Sequence, residues 1–191
     1  ELDLEECRHS IVGGCKFPSA PWAKLYRKRL LTDDVFDFPR TLDGAEDAIM
    51  NTRVLFKTDK DPHFVLDKVY DFRRNRLSVS HNQQGSLDIQ MAFYDAQEKS
   101  IPVAMKDRYM KEILSYKLNG LVDSAWSEPD VLIAGQHPFL TKLHNEIAEF
   151  GYKMNLQEWL LLNIKCRCGL KMLNFTIRAK NSLKYRLGLN N

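Results

Sequence analysis

Leu87-Asp88-Ile89-Gln90-Met91-Ala92-Phe93-Tyr94 is the stretch whose pattern sets the expected fold class. Leu87, Ile89, Met91 and Phe93 recur at every second position, with Asp88, Gln90, Ala92 and Tyr94 between them. Successive side chains of a strand point to opposite faces, so this alternation predicts a strand with one packed face and one wet face. Upstream, residues 64–72 and 76–80 follow the same period. Arg73-Arg74-Asn75 and His81-Asn82-Gln83-Gln84-Gly85 separate them with turn-like composition. The region from about 63 to 94 therefore reads as an antiparallel meander.

Beyond the meander, Val103, Met110, Ile113, Leu114 and Leu118 recur at helical spacing, which predicts a helix over 103–118 stopped by Asn119-Gly120. The apolar run from Pro129 to Gly135 reads as a short buried strand, and residues 138–150 as a helix ending at Gly151. Asn155 and Glu158 have the spacing of a capping box, and residues 156–164 after them are too apolar to be left in water. Leu173, Phe175 and Ile177 then alternate with Asn174, Thr176 and Arg178, which predicts a C-terminal strand over 170–178 and a helical tail from Ser182. Toward the N-terminus, Ser19 and Pro21 open a predicted amphipathic helix over 21–31, with Lys24, Arg27, Lys28 and Arg29 on its outer face. A second helix is expected over 45–53, entered through Asp43-Gly44. The sum is an α+β fold, an antiparallel sheet covered by helices. Residues 1–191 are expected to form a single domain, with 1–18 as an N-terminal extension.

The longest apolar runs, such as Trp159-Leu160-Leu161-Leu162, are four residues, against about 20 needed to span a bilayer. No transmembrane helix is predicted. The acidic opening Glu1-Leu2-Asp3-Leu4-Glu5-Glu6 reads neither as a secretory signal nor as an Arg-rich transit peptide. A soluble, intracellular protein is the expectation.

Charge is distributed unevenly. Residues 151–191 carry Lys153, Lys165, Arg167, Lys171, Arg178, Lys180, Lys184 and Arg186 against the single acid Glu158, a net +7. The whole chain is only +3, so residues 1–150 carry −4. A basic, partly apolar end of this kind suits an anionic partner. The candidate contact residues are Lys171, Arg178, Lys180, Lys184 and Arg186. A protein with an acidic groove is the preferred partner. Nucleic acid is an alternative, because Trp159, Phe175 and Tyr185 lie among the cations and could stack on bases. An anionic membrane surface is a further one, and a face that only keeps the protein soluble is the plainest reading.

Four cysteines raise the question of zinc. Cys7, His9 and Cys15 near one end and Cys166 and Cys168 near the other supply enough thiolate and imidazole for a tetrahedral ion. Their spacing matches no standard finger, and small buried thiols fit as well, with a disulfide as a third option. Catalytic signals are weaker. Asp130 at the edge of an apolar run, followed by His137 before a helix, could flank a metal or phosphate site. No acid-x-Lys partner follows Asp130, the glycines and lysine of a phosphate loop are missing, and no Ser or Cys sits in a nucleophile elbow. His144, on the same predicted helix as Thr141, reads as packing. The expected function is thus a non-catalytic binding or regulatory domain without a cofactor. The alternative is a nuclease-like or transferase-like enzyme with its site near Asp130 and His137.

Overall fold

The computed structural model describes residues 3–14, 20–21, 23–39, 42, 45–65, 67 and 86–187. Among them there is no strand, and eight α-helices follow one another. They are α1 (Leu4–Val12), α2 (Glu46–Lys57), α3 (Leu87–Lys99), α4 (Met110–Ser127), α5 (Pro129–Ala134), α6 (Pro138–Phe150), α7 (Leu156–Asn163) and α8 (Arg167–Arg186). Short 3-10 turns occupy Lys28–Leu30, Asp33–Val35 and Val103–Tyr109. Among the described residues the fold is all-α, and the α+β expectation with its antiparallel sheet is overturned.

Each misread stretch has a physical reason. Leu87 and Tyr94 are buried while Ile89 is 41% exposed, so the inward side chains follow a spacing of seven, two helical turns, and not of two. Leu87-Asp88-Ile89-Gln90-Met91-Ala92 satisfied both periods, and its Met, Ala and Gln are helix formers with a single β-branched residue among them. The C-terminal strand fails in the same way. Leu170, Asn174 and Ile177 are buried on α8, whereas Phe175 is 73% exposed. The apolar run after Pro129 is a helix with proline in its first turn and Gly135 as its C-cap, at φ 66°; proline just inside and glycine just past the end is a helix signature. Asn119-Gly120 does not stop α4, because Leu121 and Ala125 continue its buried stripe. That helix also starts later than expected, after the 3-10 turn. The predicted helix over 21–31 is reduced to Lys28–Leu30, and Ala23 sits at φ 59°, incompatible with a continuous helix. The helix at Pro138–Phe150 matches expectation and Gly151 ends it at φ 65°, while the helix expected over 45–53 is present and continues to Lys57. The expected strand at 76–80, both meander turns, most of 64–72 and Asp43-Gly44 lie outside the described residues.

The chain divides into two compact units, residues 1–83 with 92–113 and residues 84–91 with 114–191. In the first, α1 opens with a capping box between Asp3 and Glu6 and buries Cys7, Ile11 and Val12. Arg8 ties α1 to α2 by donating to the carbonyls of Leu55 and Thr58 at 3.0 and 2.9 Å. Leu42, Ile49 and Ala96 form a further buried cluster, flanked by Phe38, Ala92 and Phe93.

In the second unit, Leu114, Leu118, Leu121, Phe139, Leu140, Leu143, Leu161 and Leu170 are buried. Two charged side chains are buried with them. The Lys117 ammonium, 1% exposed, meets Glu146 at 2.6 Å. Glu158, also 1% exposed, takes part in the predicted capping box: its Oε2 accepts from the Asn155 N–H at 2.8 Å, and its own N–H donates to Asn155 Oδ1 at 3.0 Å. Its other oxygen accepts from the Tyr152 hydroxyl at 3.1 Å and, at 3.4 Å, from Ser115 on α4. Glu158→Leu is therefore expected to destabilise the chain by about 2–4 kcal/mol, through the lost cap and the lost hydrogen bonds from Tyr152 and Ser115. Glu158→Gln, which keeps an acceptor, should cost clearly less in urea denaturation.

Candidate docking face on the last helix

The site is built on α8. Between Asn163 and Arg167 the chain turns through only three residues, and Gly169 lets that turn close: a Cβ there would lie 2.8 Å from Ile164 Cγ2 and 3.0 Å from Cys166 Sγ. The Leu170 N–H donates to the Cys166 carbonyl at 3.2 Å as α8 begins. Leu170, Asn174 and Ile177, at helical spacing, seat the helix, and the Asn174 amide donates to the Val122 carbonyl of α4.

Cations along one flank are held by neighbouring helices. The Arg167 guanidinium makes a two-pronged pair with Asp130 on α5, Nε to Oδ1 and the terminal nitrogen to Oδ2. These hydrogen bonds hold the Asp130 carboxyl below the usual carboxylate range and raise the Arg167 value further. Arg178 meets Asp123 on α4 at 2.8 Å, and the Lys171 ammonium lies 5.4 Å from the centre of the Trp126 ring. Lys180, Lys184 and Arg186 are exposed along the last turns. The five predicted contact residues thus share a helix but not a face. Lys171 and Arg178 have local partners, and the other three ring its C-terminal half.

The outward face of α8 is apolar. Met172 is 66% exposed, Phe175 73% and Leu183 58%, with Cys168 and Ala179 exposed on the same helix. Cys168, Lys171, Met172, Phe175 and Thr176 line a shallow open depression. The Cys168 and Met172 sulfurs stand 4.0 Å apart. On α7, Leu156 is 72% and Trp159 49% exposed while Leu161 and Leu162 are buried, so the run over 156–164 is only half covered. The sequence reading placed Phe175 on a strand among the cations and passed over Met172. The spacing that could have found them is four, three and four through Cys168, Met172, Phe175 and Ala179.

The alternative sites divide. Asp130 is exposed and engaged by Arg167. His137 caps α6: its Nδ1 accepts from the Phe139 N–H at 3.2 Å, and its Nε2 faces Asp88 at 3.1 Å. The two residues expected to share a site have different partners. His144 is exposed, contrary to its reading as packing. Of the proposed zinc ligands, Cys7 is buried in the first unit, and His9 stands between Glu112 and Glu5 at 2.9 and 3.4 Å. Cys166 and Cys168 are exposed in the second unit, at the start of a helix. Cys15 lies outside the described residues. Among the described residues, no three His, Cys, Asp or Glu side chains gather as a metal site. No helix among those residues is long and apolar enough to cross a membrane.

Burial, with Asp3, Glu6 and Asp61 adding to it, pushes the Cys7 thiol up to about 11. Iodoacetamide at mildly alkaline pH should therefore modify Cys166 and Cys168 in the native protein and reach Cys7 only after unfolding, as read by peptide mass spectrometry. The Asp130–Arg167 pair has a pH signature. Because the folded-state value is depressed, the pair contributes above the ordinary aspartate value of about 3.9 and is lost as pH falls through the folded one. A carboxyl-detected NMR titration should place Asp130 below the ordinary aspartate value, and Arg167→Gln should move it back up. Compared with known families, curated proteins and solved structures, the chain matches none.

Proposed function

We propose that this chain is a non-catalytic binding domain that docks a protein partner on the outward face of α8. The observation that carries this reading is the pair Met172 and Phe175, 66% and 73% exposed on a helix whose opposite side is seated by Leu170, Asn174 and Ile177. A large aromatic and a flexible thioether side by side are the residue types enriched at the centre of protein interfaces. Lys180, Lys184 and Arg186 add, around the C-terminal half of the same helix, positive charge that favours an acidic partner and speeds encounter with it.

Magnitudes assign the roles. Covering a large apolar side chain is worth about 1.5–3 kcal/mol, whereas an exposed ion pair is worth about 0–1 kcal/mol. The apolar stripe supplies the affinity, and the cations select the partner.

Phe175→Glu is expected to leave thermal stability nearly unchanged, because the ring touches water and not the core. It should remove the proteins that the wild-type chain captures from its native source. Reversal of Lys180, Lys184 and Arg186 together should weaken capture and flatten its salt dependence. Identical capture by the wild type and Phe175→Glu would defeat the reading.

A further inference from the structure

Resting on that reading, we propose that the occupant of the outward face is an amphipathic helix of a partner protein with carboxylates along its edges. Cys168, Met172, Phe175 and Ala179 are spaced four, three and four residues apart, the stagger by which the seams of two helices mesh. All four are exposed, and the large Met172 and Phe175 lie between the smaller Cys168 and Ala179, which provides knobs with holes beside them. In this register Lys171 and Arg178 hold the same flanking position one heptad apart, the position whose charge sets partner choice in helix pairs; Arg178 already meets Asp123, so the net charge of this flank comes from Lys171. After Ala179 the seam positions pass to Ser182 and Arg186, so the apolar part is short and its C-terminal end is basic.

Charge complementarity decides among occupants. No Asp or Glu follows Glu158. A second copy of α8 would set cations against cations, and its own seam ends in Arg186. Phosphates of a nucleic acid call for cations at the centre of the face, where Met172 and Phe175 stand instead. A bilayer is fluid and has no use for alternating large and small side chains at heptad spacing. An acid-edged helix meets all three features: the seam, the flanking cations and the basic end.

The test uses the full chain and two fluorescent designed peptides about three heptads long, both with Leu at the seam positions. One carries Glu at the flanking positions and the other Lys. Vesicles of phosphatidylcholine and phosphatidylserine form a third arm. The Glu-edged peptide should bind about tenfold or more tightly than the Lys-edged one and lose that advantage at high salt. Phe175→Glu and, separately, Ala179→Glu should each weaken it by about tenfold, with circular dichroism unchanged. Equal binding of the two peptides overturns the inference. So does sedimentation with vesicles when neither peptide binds, which assigns the face to a membrane surface. Loss of captured protein in Phe175→Glu, together with failure of both peptides, rejects the acid-edged helix but leaves the docking face standing.

Discussion

Glu158 is a carboxylate withdrawn from water, 1% exposed, and its oxygens are met by the Asn155 N–H and the hydroxyls of Tyr152 and Ser115. An ion in that setting costs several kcal/mol unless its lone pairs are satisfied, so these groups are held in one geometry. The consequence is positional. With the first turn of α7 pinned, Leu161 and Leu162 face inward and Leu156 and Trp159 outward. The short turn after Asn163, closed over Gly169, then leaves little freedom in where α8 starts. The Lys117–Glu146 pair adds a second constraint of the same kind within the same unit.

What α8 shows to solvent follows from what it buries. Its inward stripe is only Leu170, Asn174 and Ile177, with one polar member that must find a carbonyl, and it finds Val122. Past Arg178 every residue with a described side chain is exposed through Leu187, so these side chains add little packing to the last turns of the helix. Isolated helical turns are marginal in water. These turns rest on propagation from the seated part and on the helix dipole, whose negative end is favoured by cations such as Lys184 and Arg186.

Legibility in the sequence tracked the kind of signal. Capping chemistry was readable: Asn155 with Glu158, Pro138 at a helix start and Gly151 at its end all appear as their residue types require. Periodicity over eight or nine residues was not. Around Leu87 and again around Leu173, large apolar residues stood at alternate positions while the buried ones followed a helical period, and only long-range packing separates the two. The proline and glycine around Val131-Leu132-Ile133 carried the right answer, yet the apolar run between them outweighed it. For the candidate site, the charge and the helical tail from Ser182 were legible, while residues 170–178 were read as a strand. The exposed seam was not, because Phe175 placed among polar neighbours looks like a core residue of a strand until the helix turns it outward.

The basic end also changes meaning once its partners are known. Arg167 lies in the first turn of α8, where the dipole is positive and a cation is unfavourable, and Asp130 of α5 offsets it. Arg178 is answered by Asp123 of α4. Two of the cations behind the +7 are thus neutralised by carboxylates from the acidic first 150 residues. That partial neutralisation sharpens the field and does not abolish it. The uncompensated charge lies at Lys180, Lys184 and Arg186, beyond the apolar seam and at the end of the helix where the described side chains are exposed. A partner drawn to that end meets Met172 and Phe175 next, so attraction and burial act in sequence along one helix.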